Sequence, residues 1–226
     1  MTLARGFNVL RTVAKTQPSA PRSPVRERLH REALALAERD ALVAAAYSYR
    51  IVPLERPAGD TLCLDGERLE APWLLPESGT LTAVACGVVT IGAALEERVH
   101  ELFAARRAAL AVALDELGNE LLFAAARRAQ DRMLAEATRL GLEMAGELRS
   151  GDPGLAIETQ TTVLRLADAD AIGVELSSGL VMRPLKSTSM VLGVGVSLPS
   201  VNWSRCDYCP SLERCRVAQT RIAAMA

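Results

Sequence analysis

The sequence predicts an α+β fold, on three observations. Apolar residues recur at helical spacing over 27–47, 93–141 and 155–169. Between these stretches lie short runs with strand character, at 49–54, 61–64, 67–70, 80–92, 172–176, 180–182 and 190–196. Aromatic residues make up only 4% of the chain while alanine and leucine are abundant, which favours helices packed through small residues over a β-sandwich. The chain has 226 residues, half of them apolar, enough to bury a sizeable core in one good-sized domain or two small ones.

Residues 1–26 carry Arg5, Arg11, Lys15, Arg22 and Arg26 with no acidic residue and several prolines, and are expected as a flexible basic arm. A targeting segment or a short helix over 7–13 are the alternatives. Ser23-Pro24 then supplies a helix cap and a proline at the first helical position, starting a helix that runs to about residue 47. A strand over 49–54 ends at Pro53, and 61–64 pairs with 67–70 through the hairpin turn Asp65-Gly66. The run 80–92, rich in Val and Thr, is predicted as a buried strand. From 93 to about 141 the pattern is helical with a break near Gly118. Leu95, Val99, Leu102 and Phe103 form one apolar face, and Leu117, Leu121, Leu122 and Ala125 another. The helix over 155–169 presents Ile157, Val163, Leu164 and Leu166, with Gly173 just beyond its end.

Charge and cysteine usage exclude several classes of function. A net charge of -1, from 26 basic and 27 acidic side chains, gives no field to gather nucleic acid or an anionic membrane. No run of about 20 apolar residues exists for a membrane span. Five cysteines in a chain this long, three of them crowded near the end, do not make a secreted disulfide framework, and a reducing cytoplasm is expected. Cys63 and Cys86 are expected as small core side chains. Asp115, Glu116 and Glu120 lie close enough on one helix to suggest paired carboxylates, but no histidine or further acid is spaced to join them, and they are expected on a solvated face. His30 and His100, the two histidines, sit in charged helical runs without metal-ligand spacing and are expected at the surface.

The residues 199–226 form a separate tail that carries Cys206-Asp-Tyr-Cys209-Pro-Ser-Leu-Glu-Arg-Cys215. This spacing lets three thiolates converge on one point, as an iron–sulfur cluster or a zinc ion requires, with a fourth ligand borrowed from elsewhere. Reduced or redox-active thiols without metal are the third reading. A thioredoxin-like pair would need a strand before it and a helix after it, whereas the residues before Cys206 are loop-like.

The loop Arg149-Ser-Gly-Asp-Pro-Gly154 packs two glycines and a proline around one acid, so its backbone can adopt positive φ and approach a ligand closely. It opens an ordered series: Gly151-Asp-Pro-Gly154, Ile157-Glu-Thr-Gln160, Ile172-Gly-Val-Glu-Leu176, then Val181-Met-Arg-Pro-Leu-Lys-Ser-Thr-Ser189 and Gly193. This series resembles the activation domain of vitamin B12-dependent methionine synthase, in which the run reads Ser-Pro-Gly-Tyr-Gly, Leu-Glu-Glu-Gln, Ile-Gly-Val-x-Leu and Met-x-Pro-x-Lys-Ser-x-Ser. Upstream, Ile91-Gly-Ala-Ala-Leu-Glu96 and Leu114-Asp-Glu-Leu-Gly-Asn-Glu120 are similar to the family's helical region, so the resemblance spans about 80–195.

The resemblance implies a single curved, helmet-like α+β domain over 27–198, an antiparallel sheet with packed helices. It implies a free-standing protein that binds S-adenosylmethionine and assists reductive remethylation of cobalamin held by a partner, the cobalamin-binding methyltransferase subunit. There, an electron and a methyl group restore methylcobalamin from the cob(II) state, and a flavodoxin or ferredoxin-type protein is the electron donor. The family's loop arginine, matched by Arg149, would meet the methionyl carboxylate as a charge-assisted fork. Gly151 matches the family glycine, Gly154 closes the turn, and Lys186-Ser187 match the Lys-Ser pair; a solvated lysine in a turn is the plain alternative for Lys186. Ser150 replaces a proline and Asp152 a tyrosine, and an acid at 152 would repel a ligand carboxylate or hold its ammonium. Short relatives are similar in ending with Cys-x2-Cys…Cys. The alternative is an iron–sulfur redox protein or enzyme that uses Cys206, Cys209 and Cys215 in another corrinoid or methyl-transfer task.

Overall fold

In the computed structural model, residues 1–15 and 23–199 are described. In chain order the elements are β1 (Thr2–Arg5), α1 (Leu10–Lys15), α2 (Pro24–Arg39), β2 (Ala46–Pro53), β3 (Thr61–Leu64), β4 (Glu67–Glu70), β5 (Thr80–Thr90), α3 (Ala94–Ala104), α4 (Ala108–Arg139), β6 (Glu143–Leu148), α5 (Gln160–Leu166), β7 (Glu175–Leu176), β8 (Met182–Arg183) and β9 (Ser187–Val196). One five-stranded antiparallel sheet, ordered β1-β2-β5-β9-β6, carries the domain. β3 and β4 form the expected hairpin, and β7 and β8 a short second one.

β5 is the strand most completely enclosed, and its sequence says why. Ala83, Ala85 and Val89 face a core built with α2, α3 and α4, while Val84, Cys86 and Val88 face a second core built with β3, β4 and α5. A strand covered on both faces reads as a continuous apolar run instead of an alternating one. At Gly87 the helix layer comes so close that an added Cβ would overlap the methyl of Met133 on α4. α4 itself packs on β2, β5, β6 and β9 and against the three preceding helices, through Leu110, Leu114, Leu117, Leu121, Ala125 and Ala129.

Several elements depart from the sequence expectation for identifiable reasons. Within the segment expected as a basic arm, β1 pairs with β2, and Phe7 packs its ring 5.3 Å from that of Tyr47 while Arg128 lies 5.0 Å above it. α2 starts at Pro24 with the Ser23 hydroxyl accepting from the Arg26 N–H, as expected, but ends at Arg39, because Tyr47 and Tyr49 are needed on β2 to fill the helix-side core. The break between helices falls at Arg106, with φ 58°, and not at Gly118, which is buried mid-helix in α4. Glycine there costs helix propensity of about 1 kcal/mol. An added Cβ would lie 2.9 Å from Leu95 Cδ2 and 3.2 Å from Lys186 Cε, so both side chains would have to give way to it. Phe103, expected in a core stripe, is exposed, and the helix expected over 155–169 is divided into 3₁₀ turns on either side of α5.

β6 falls in a stretch with no clear period. Its register shifts between Ala145 and Glu147, where Gly146 at φ 68° forms an extra residue opposite β9. Met144 packs with the helix-side core and Leu148 with the opposite one. Such a bulge breaks the two-residue alternation by which strands are read.

Two buried acids set an alkaline limit on stability. The phenol of Tyr49 is pushed up to about 12 by burial and by the Glu136 carboxylate, whose Oε2 accepts its proton at 2.6 Å. Burial alone pushes the Cys86 thiol up to about 12. Both groups keep their protons in the native chain at pH values where an unfolded chain has lost them, from about 9 for the thiol and 10 for the phenol. Their contribution is therefore complete below pH 9 and lost as the pH rises toward 12. Urea midpoints measured from pH 8 to 11.5 are expected to fall along that window, and less steeply in Tyr49→Phe.

Candidate functional site

The loop that follows β6 is held by its own backbone. Asp152 N–H donates to the Arg149 carbonyl at 2.8 Å, Leu155 N–H to the Asp152 carbonyl at 3.0 Å, and Gly151 N–H to the Leu155 carbonyl at 2.8 Å. The Asp152 carboxylate accepts the Arg149 backbone N–H through Oδ2 at 2.9 Å, so this acid closes the turn. Gly151 and Gly154 have φ of 96° and 80°, as an αL-type turn demands. At Gly154 the missing Cβ makes room for Trp73: an added methyl would overlap Cγ and lie 2.7 Å from Cδ1. At Gly151 the nearest atom to an added Cβ is Ile157 Cδ1, at 3.5 Å, and Ile157 is exposed.

Arg149 extends from this loop onto α4. Its Nε and Nη2 donate to a single oxygen of Glu147, Oε1, at 3.2 and 3.0 Å, and its Cζ lies 6.0 Å from the Phe123 ring centroid. The arginine side chain is 18% exposed, and Phe123 is 59% exposed. A guanidinium has five N–H donors in a planar fork, so these two contacts leave its outer edge to a second carboxylate.

Lys186 reaches the same helix. Its Nζ meets Asp115 Oδ1 at 2.7 Å and donates to Asn119 Oδ1 at 2.8 Å, its stem crossing α4 beside Gly118. The solvated lysine of the plain reading is replaced by a side chain only 12% exposed. Asp115, Asn119 and Phe123 recur every four residues and so share one face of α4. Eight residues at the helical rise place the two ends of that face about 12 Å apart. The structure thus brings Arg149 and Lys186 to opposite ends of one stripe. Ser187 does not join it: its hydroxyl is buried and bonded to Thr90 Oγ1 at 2.9 Å, tying β9 to β5.

Sequence reasoning missed Glu147, Phe123 and Asn119 as site residues. The four-residue spacing of Asp115, Asn119 and Phe123 was the available signal; for Glu147 the bulge removed it. Each helical acid expected on a solvated face is paired, Asp115 with Lys186, Glu116 with Arg26 at 2.7 Å, and Glu120 with His30 at 3.9 Å. His30 is buried where a surface position was expected, and His100 is exposed. Cys63 and Cys86 are both free and buried, and the Arg56 guanidinium donates to the Cys63 sulfur through Nε at 2.9 Å. Among the described residues no group of three His, Cys, Asp or Glu side chains is placed to hold a metal. Cys206, Cys209 and Cys215 lie outside the described residues. No described helix is long and apolar enough to cross a membrane.

The sequence matches no protein-family model and no curated protein. Among solved structures it is similar to the crystal structure of the MetH reactivation domain bound to AdoHcy, with a TM-score of 0.64 over 98% of this chain and 89% of that one, at 14% sequence identity. The five-stranded antiparallel sheet with its packed helices is therefore the fold of the MetH reactivation domain.

Proposed function

We propose that this chain binds S-adenosylmethionine along the exposed face of α4 and presents it to cobalamin held by a partner methyltransferase, assisting reductive remethylation. The observation that carries the reading is the joining of Arg149 and Lys186, two residues singled out in the sequence, by the Asp115-Asn119-Phe123 stripe. The likeness of fold to a domain solved with AdoHcy bound supports it.

The residues present fit such a ligand. Arg149 offers a fork for a carboxylate, and the exposed Phe123 ring beside it offers an apolar surface for a flat base. Asn119 and Asp115 place polar groups one and two turns further along the same face. The self-bonded loop fixes the arginine before the ligand arrives, which reduces the ordering cost of binding. S-adenosylmethionine supplies an electrophilic methyl on sulfonium; this chain supplies position and charge, the usual division in cofactor systems. The electron comes from a flavodoxin or ferredoxin-type donor in this reading.

Isothermal titration of the protein with S-adenosylmethionine and S-adenosylhomocysteine is expected to give saturable heat at one site for each. Absence of heat from both would remove the reading.

A further inference from the structure

The pair Glu147–Arg149 is more than an arginine with a neighbour. Both N–H bonds from the guanidinium go to one oxygen of Glu147, a weaker arrangement than the parallel two-oxygen fork a free carboxylate can form. The two side chains are on one strand end, two residues apart, 30% and 18% exposed, beside an exposed aromatic ring. An incoming anion on the outer edge of the fork would bring a second negative charge beside Glu147, with one cation shared between the two. A ligand that carried an ammonium beside its carboxylate would satisfy both: its carboxylate takes the outer edge of Arg149 and its ammonium meets the Glu147 carboxylate.

Resting on the adenosylmethionine reading of this site, we propose that Glu147 is a specificity-determining residue and that it reads the α-ammonium of an amino-acid head group while Arg149 reads the carboxylate. The pair accepts zwitterions and rejects plain carboxylates, discrimination by an unpaired charge as much as by an added contact.

Three probes test this by calorimetry: S-adenosylhomocysteine, its deaminated analogue that keeps the carboxylate, and 5′-methylthioadenosine, which lacks the head group altogether. Wild type is expected to bind the deaminated analogue 10- to 100-fold more weakly than S-adenosylhomocysteine, as loss of a hydrogen bond to a charged group predicts. Glu147→Gln is expected to weaken S-adenosylhomocysteine by a similar factor, to close the gap between it and the deaminated analogue, and to leave 5′-methylthioadenosine unchanged. A purely structural role for Glu147 would move all three together. Should the variant fail to fold, the wild-type gap decides. Equal binding of S-adenosylhomocysteine and its deaminated analogue by wild type, or a gap that survives Glu147→Gln, overturns the role of Glu147 alone. Failure of wild type to bind any of the three overturns the site itself and this role with it.

Discussion

Arg149→Ala is expected to lower the affinity for S-adenosylhomocysteine by about 100-fold while changing the unfolding free energy little. A charge-assisted fork to a carboxylate contributes about 1.5–3 kcal/mol, which corresponds to roughly 10- to 150-fold in affinity. The upper end applies because truncation also takes the guanidinium from Glu147, whose carboxylate and that of the ligand then have only the ligand ammonium between them. Stability changes less, since the turn is held by backbone bonds and the Asp152 carboxylate, none of which uses the guanidinium. Binding by calorimetry and stability by urea unfolding, measured on the same variant, separate the two. Unaltered binding in Arg149→Ala would place the carboxylate elsewhere.

Gly154→Ala is expected to act the other way round, on stability first. The φ of 80° costs an L-residue roughly 1–2 kcal/mol, and the new methyl would be driven into the indole of Trp73. Trp73 belongs to the 3₁₀ turn Pro72–Leu74, which packs on β6, so displacing the ring loosens the strand that delivers Arg149. A loss of about 3 kcal/mol in urea unfolding is expected, within the range of strain and overpacking combined. Ligand affinity should fall with it. A variant as stable as wild type would mean that Trp73 has room to withdraw.

Much of this was legible in the residues. The helical and strand runs, the Asp65-Gly66 hairpin, the Ser23-Pro24 helix start and the buried character of β5 follow local rules that the fold leaves in force. What escaped depended on contacts distant in sequence. Helix propensity around 40–47 yields to the demand of the sheet for Tyr47 and Tyr49, and Gly118 signals a helix break until the stem of Lys186 is seen lying against it. At the site, the loop glycines and Arg149 stand out because turns and forks have compositional signatures. Glu147 does not, since a strand carboxylate next to a bulge has no distinguishing neighbours in the chain, and Phe123 shows only as the last member of a four-residue spacing; both acquire meaning when β6 and α4 are side by side.

The extra residue in β6 also governs handedness of delivery. Counting by twos from Met144, which packs toward the helices, an uninterrupted strand would point Leu148 to that same side and send Glu147 and Arg149 to the far one. Gly146 inverts the parity, so the leucine drops into the opposite core and the arginine emerges over Phe123. Drawing that single glycine into the ladder as an ordinary strand residue would leave the composition of the site intact and turn it inside out, whereas deleting it would keep every later side chain on its present face.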